Sequence, residues 1–600
     1  MSILENMSCP QDIKKLDINS LDTLCKEVRE QILTVISNNG GHLSSNLGIV
    51  ETTVALHYVF DLPKDKLIFD VGHQCYAHKI LSPRQKDFST IRTKDGLSGF
   101  PDCSESEFDA FTAGHAGTSI SASLGYLSAR DALGQDYTVI NVVGDGSIVN
   151  GLNLEAWPAT NSKPKNFVVI LNDNGMSISK NKNGLYGYIS KRTMSKGYLN
   201  TKRALSSIFG NSFVTRGLMG IRNFLKRLLG KENWFENFGF KYVGIVDGND
   251  VKRLVKTLKR VKNASKHKAV LLHIRTTKGK GYVYAENHSD VYHGVGKNLN
   301  CSSGGFGETL GEKLIDLASK DSKIVAVCAG MKDGTGLSEF GDKYPNSFYD
   351  VGIAEEYAVT LSAGMAKGGL KPIVAVYSTF LQRAYDQIMH DVCIQNLPVV
   401  FCLDRAGLVG EDGKTHQGVF DLSYLLHLPN MTVLAPTTKK ELCDSIDYAL
   451  TLNSPVAIRY PKSYSENGRI TPDFSVCYDV VKEGDEVCLL AVGPRTLDLA
   501  IKFAKQSQKS VQVISARQVK PLDEECLLSI KDKKIITIEE NSLIGGFGSF
   551  VTAFYQEKGI DAKVKCMGIQ DKFVEVASVG EQMADNGITI ERLEELVNEF

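Results

Sequence analysis

The run YTVINVVGDGS at 137–147, followed one helix later by FVVILNDN at 167–174, decides the fold. Each is a block of β-branched and aliphatic residues that stops abruptly at Gly, Asp or Asn, as a strand buried on both faces does where it meets a polar loop. The same block recurs as KIVAVC (323–328), KPIVAVYS (371–378), PVVFCLD (398–404), EVCLLAV (486–492), SVQVISA (510–516) and KIITIEE (534–540), alternating with helical patterns. That rhythm predicts an α/β protein of doubly wound parallel sheets. Ligands in such sheets bind at the carboxyl ends of the strands. Gly144-Asp145-Gly146, Asn172-Asp173-Asn174 and Asp404-Arg405 all fall there.

A chain of 600 residues, 42% hydrophobic and 23% charged, is too long for one core and divides into several domains. The polar stretches KNLNCSSGGFGE (297–308) and SYSENGRITPDFS (463–475) read as linkers, predicting domains at 1–300, 301–470 and 471–600. Lys+Arg and Asp+Glu are each 69, so no net field draws the chain to nucleic acid or anionic lipid, and small-molecule chemistry is the natural reading. The 13 cysteines contain no C-x-x-C pair, and Cys328, Cys402 and Cys488 lie in apolar runs, as reduced core thiols would. Neither a basic-then-apolar leader nor a run of about 18 apolar residues occurs, so the sequence predicts a cytoplasmic, soluble protein without membrane attachment. Residues 180–231 carry many Lys and Arg but no Asp or Glu; within them 213–230 predicts an amphipathic helix docked on its own domain, compatible with a basic flap over an anionic substrate.

Asp145 and Asn174 stand 29 positions apart, enough for one strand end, a helix and the next strand end. A hard cation such as Mg2+ takes oxygen ligands in octahedral geometry with phosphates completing the shell, which a carboxylate and an amide oxygen from adjacent strand ends can begin. Gly144 and Gly146 let backbone approach a diphosphate, and the N–H groups opening the next helix help hold the anion. A lone GDG also makes a plain strand-to-helix turn. Coupled to N-D-N at this spacing, the pair is the signature of thiamine diphosphate binding.

Further motifs extend the pattern: GGHLSSNLG (40–48), DVGHQCYAHKI (70–80), GLSGF (96–100), AGHAGTSISASLG (113–125), YSTFLQRAYDQIMHD (377–391), DRAGLVGEDGKTHQG (404–418) and AIRYPK (457–462). With these the chain resembles the 1-deoxy-D-xylulose-5-phosphate synthase family of the transketolase superfamily along nearly its whole length, most specifically from Tyr377 to Gly418. The resemblance implies two thiamine-diphosphate domains and a transketolase C-terminal domain, a homodimer, and decarboxylative condensation of pyruvate with D-glyceraldehyde 3-phosphate. It also implies the site. Glu355 is matched to the carboxylate beside the aminopyrimidine ring, and His42, His293 and His416 to proton carriers near the substrates. Asp412 and Tyr377 line the pocket, and Arg383 and Arg459 are the candidates for the acceptor's phosphate. His73, Gly114, His115, Ala116, Gly146, Ser147, Asn174, Tyr282 and Phe380 are matched to cofactor contacts, and Asp145, Asn174 and Met176 to metal ligands. In the C-terminal domain NSLIGGFGSF (541–550) is a glycine-rich loop after KIITIEE, which alone is weak evidence of nucleotide binding.

Several positions depart from the family's pattern: Ala116-Gly117 replace a serine pair, Gly175 a glutamate, Tyr357 a histidine and Asn249 a histidine, and KNKNGLYGYIS follows SIS. Two hydroxyls lost beside a cofactor change binding by about 1 kcal/mol each, enough to shift substrate choice. Three rival readings follow: a sister carboligase with another donor or acceptor, a non-catalytic cofactor-binding paralogue, and a transketolase acting on ketose donors, which the Tyr377–Asp391 run counts against.

Overall fold

The computed structural model describes residues 2–7, 9–162, 164–175, 234–300, 305–465 and 477–600. Met176, the basic segment 180–231 and its amphipathic stretch 213–230 lie outside the described residues. The chain forms two compact units, Met1–Ile91 with Gly99–Cys301, and Arg92–Ser98 with Ser302–Phe600.

In the first unit the two opening strands are Val139–Gly144 and Phe167–Asp173, neighbours in a five-stranded sheet ordered Lys66–Phe69, Val139–Gly144, Phe167–Asp173, Val270–Arg275, Lys241–Asp247. All pairings are parallel. Helix Val251–Ser265 shows why helices cover this sheet: Asp250 caps it by accepting the N–H of Arg253 at 2.9 Å, and Val251, Leu254, Val255, Leu258 and Val261 form its buried stripe. A short antiparallel ribbon pairs Gly41–His42 with Gly294–Val295, joining chain segments about 250 positions apart and setting His42 opposite Gly294.

The second unit holds two sheets. The seven-stranded one runs Gln518–Lys520, Thr432–Leu434, Val456–Arg459, Val400–Asp404, Lys371–Tyr377, Ile324–Cys328, Phe348–Asp350; the five-stranded one runs Asp479–Lys482, Val511–Ser515, Val487–Val492, Lys534–Ser542, Lys563–Ile569. Two edge strands, Gln518–Lys520 and Asp479–Lys482, are antiparallel. They depart from the parallel expectation because they are short and carry polar residues, as QVK and DVVK, so no apolar block announces them. Gln518–Lys520 comes from the last third of the chain yet completes the sheet of the middle third, and one buried cluster includes Val327, Phe401, Leu490 and Phe547. Cys328, Cys402 and Cys488 are buried free thiols, while Cys9 and Cys103 are exposed. Among the described residues no helix is long and apolar enough to cross a membrane.

Candidate functional site

Asp145 follows strand Val139–Gly144 directly and is buried. Its Oδ1 accepts the N–H of Gly146 at 3.1 Å, and its Oδ2 has no hydrogen-bond partner among the described residues. Burial, then the charge of Asp173, raises its carboxyl to about 7. Lys278 is buried nearby and lowered to about 8 by desolvation. A buried carboxylate with an open oxygen, beside a second carboxylate, fits a divalent cation. Asn174 follows strand Phe167–Asp173 directly, and the Asp173 carboxylate accepts from the N–H of Gly175 and bonds His273 at 2.9 Å. Among the described residues no three His, Cys, Asp or Glu side chains converge as a metal cage.

The ribbon of residues 41–42 and 294–295 brings three predicted histidines together: ring centroids lie 5.7 Å apart for His42 and His73, 5.6 Å for His42 and His293, and 5.5 Å for His73 and His293. Phe100 closes against His42 at 5.4 Å. Burial foremost, then the charge of Lys278 and the neighbouring imidazoles, holds His293 well below its ordinary value, while its Nδ1 meets the Ser45 hydroxyl at 3.3 Å. Gly114, His115 and Ala116 form the turn before helix Ser119–Ala132. Tyr282 precedes the short helix Val283–Asn287 and packs edge-on against Tyr292 at 5.8 Å. The Ser147 hydroxyl is donated to Asp70, the first residue of DVGHQCYAHKI, at 2.5 Å.

In the second unit Glu355 opens helix Glu355–Lys367 and is buried, 3.6 Å from Arg383. Its Oε2 accepts no hydrogen bond among the described residues. Burial outweighs the arginine and raises the carboxyl to about 7. Tyr377 ends strand Lys371–Tyr377 and stacks on Phe380 at 5.7 Å; Phe380 meets His416 edge-on at 5.6 Å. His416 is lowered by burial against the pull of Asp412, and its Nδ1 contacts the Thr415 hydroxyl at 2.8 Å. Asp412 is ion-paired with Arg92. Arg405, absent from the predicted set, lies 4.0 Å over the Tyr377 ring, held by Asp404 at 2.9 Å. The D-R dipeptide at a strand end was the signal that could have found it.

Arg459 and Arg383 are both committed to carboxylates. Arg459 Nε donates to both oxygens of Asp421 at 3.1 Å, and its Nη2 to the carbonyl of Glu540 at 3.4 Å. Asp421 also accepts from the Ser378 hydroxyl at 3.0 Å. The glycine-rich loop 541–550 is filled from within: Glu539 accepts the N–H groups of Phe547 and Gly548, both at 2.8 Å, so that helix start already holds its own carboxylate.

The departures also have structural consequences. Gly117 has φ +88, and a Cβ there would overlap Asn150 Oδ1, so this backbone leaves no room for a side chain at 117. Asn249 donates to the carbonyl of Gly48 at 3.0 Å and to Glu51 at 3.1 Å, and accepts from the N–H of Thr277 at 2.8 Å. Tyr357 is exposed.

The 1-deoxy-D-xylulose-5-phosphate synthase family profile matches residues 4–276, the transketolase pyrimidine binding domain 305–466, and the transketolase C-terminal domain 478–593. Doubly wound sheets bearing these two transketolase domains define a transketolase-type, thiamine-diphosphate-dependent transferase. A 1-deoxy-D-xylulose-5-phosphate synthase of Carboxydothermus hydrogenoformans is 45% identical over 613 residues, covering 98% of either chain, and one of Clostridium tetani is 45% identical over 94% of either. The chain belongs to the 1-deoxy-D-xylulose-5-phosphate synthase family. A transketolase structure from Campylobacter jejuni is similar over 98% of this chain and 100% of its own, at 17% identity and a TM-score of 0.44.

Proposed function

We propose that the chain condenses pyruvate with D-glyceraldehyde 3-phosphate, releasing carbon dioxide and forming 1-deoxy-D-xylulose 5-phosphate. The observation that carries this reading is 45% identity to synthases of that name over 98% of the chain. Such a product feeds isoprenoid, thiamine and pyridoxal synthesis. Thiamine diphosphate, when bound, supplies the carbon nucleophile and electron sink that decarboxylation of a 2-keto acid needs.

The chain's own residues supply positioning and proton transfer. Glu355 would hold the pyrimidine ring: a buried carboxyl near 7 with an open oxygen can share a proton with a ring nitrogen near neutral pH. His293 and His416, both lowered by burial, are neutral imidazoles that donate at one nitrogen and accept at the other, as alkoxide oxygens require. Arg383, Arg459 and Arg405, each already paired with a carboxylate of the chain, are the fixed positive charges proposed for a phosphate. Mg2+ is the cation proposed at Asp145 and Asn174, with Met176 supplying a further ligand; the buried open oxygen of Asp145 supports it. The working form in this reading is a cytoplasmic homodimer, with Tyr357 and Ile394, 57% and 68% exposed, as surface a partner subunit would cover.

Purified chain given thiamine diphosphate, Mg2+, pyruvate and D-glyceraldehyde 3-phosphate, followed by mass spectrometry, tests the proposal. A five-carbon 1-deoxyketose phosphate formed with carbon dioxide is the expected result. Pyruvate decarboxylated without that product would leave the scaffold standing and remove the acceptor.

A further inference from the structure

Asp70 is a buried carboxylate at the carboxyl end of strand Lys66–Phe69 to which the reaction above assigns nothing. It gathers donors from two other loops. Its Oδ1 accepts the Gly117 N–H at 2.9 Å and the Ser147 hydroxyl at 2.5 Å, and its Oδ2 accepts the Ser119 N–H at 3.2 Å. One of these loops carries Gly114, His115 and Ala116; the other carries Asp145 and Gly146. The third is its own, since immediately after Asp70 the chain turns through two left-handed residues, Val71 at φ 62 and Gly72 at φ 88, before reaching His73. A β-branched residue rarely adopts that conformation, which persists only where its surroundings over-determine it. Here they do. A Cβ on Gly72 would overlap the Pro101 ring, just as one on Gly117 would overlap Asn150.

We propose that Asp70 is a positioning residue: one carboxylate sets the register of the 70–73, 114–119 and 144–147 loops, and through them the diphosphate and cation ligands. The inference rests on the reading that these loops hold thiamine diphosphate. It gives Ser147 an indirect part, because its hydroxyl is committed to Asp70. A single carboxylate satisfying three donors from two loops is hard to replace, since an amide at the same place turns a donor toward donors.

The test measures thiamine diphosphate affinity by calorimetry with Mg2+ present, thermal unfolding, and kcat and KM at saturating cofactor, all on the full chain. Asp70→Asn is expected to weaken cofactor binding about 10- to 100-fold, the range for groups that orient ligands, while kcat at saturating cofactor and KM for pyruvate stay near wild type. Ser147→Ala is expected to weaken binding less, and the double variant no more than Asp70→Asn alone, because the hydroxyl acts through the carboxylate. Wild-type affinity in folded Asp70→Asn, or independent addition of the two effects, overturns the proposal. Should Asp70→Asn fail to fold, unchanged cofactor affinity in Ser147→Ala overturns it as well. Wild-type chain that binds no thiamine diphosphate would instead remove the cofactor reading, and the proposal with it.

Discussion

Oε2 of Glu355 lies 3.6 Å from Arg383, yet the carboxyl sits at about 7, because the cost of burying a charge at 4% side-chain exposure exceeds what one arginine at that distance returns. Exposed carboxylates titrate near 4. Glu355 is therefore poised to exchange a proton at neutral pH. Replacing it with alanine should lower kcat at least about 100-fold while thermal stability holds or rises, as a buried charge is removed. Near-wild-type turnover would remove Glu355 from the mechanism.

Arg383 pulls the Glu355 carboxyl down, although less than burial pushes it up. Arg383→Met should move it further above 7. If the ionised form is the active one, the acid limb of the kcat/KM profile shifts to higher pH, and an unshifted limb would mean that Glu355 does not set it.

Asp145 and Asp173 repel each other in a buried pocket. Asp145→Asn should weaken Mg2+ binding about 10-fold or more, in the range seen when a metal ligand or its support is changed, and raise the unfolding temperature of cation-free protein. Calorimetric titration with Mg2+ measures the first effect and a thermal melt the second. Unchanged Mg2+ affinity would place the cation elsewhere.

Glu539 is raised to about 7, chiefly by burial. A carboxyl raised in the folded state binds its proton more tightly there than in the unfolded chain. Its stabilising contribution is fully present below about pH 4.3, declines as pH rises and is gone above about 7. The loss is up to about 1.4 kcal/mol per pH unit between those limits. Glu539→Gln should flatten the stability profile over that window, even though it loses one of two N–H bonds and starts lower. Parallel profiles in denaturant titrations at pH 5, 6 and 7 would contradict this.

Gly117 is held at φ +88 against Asn150. Gly117→Ala should cost roughly 1–3 kcal/mol from left-handed strain and overlap, and adding Asn150→Ala should relieve the overlap while losing the bond that the Asn150 side chain accepts from the Leu152 N–H. Urea unfolding of the two variants measures both.

The sequence by itself determined the parallel α/β scaffold, because an apolar strand block and the Gly, Asp or Asn that ends it are local signals. YTVINVVG and FVVILND became adjacent parallel strands. It also made GDGS, N-D-N and the segment around Glu355 legible, since their residues are neighbours in the chain. The short antiparallel edge strands escaped, having no apolar block to mark them. Only the tertiary structure decided which side chains share a pocket: His42 meets His293 through a ribbon closing about 250 residues of chain, Arg405 lies on Tyr377, and Asp70 collects Gly117, Ser119 and Ser147. Burial foremost lifted Asp145, Glu355 and Glu539 to about 7. Desolvation and partner choice depend on what packs around a group from distant parts of the chain, and no local pattern encodes that.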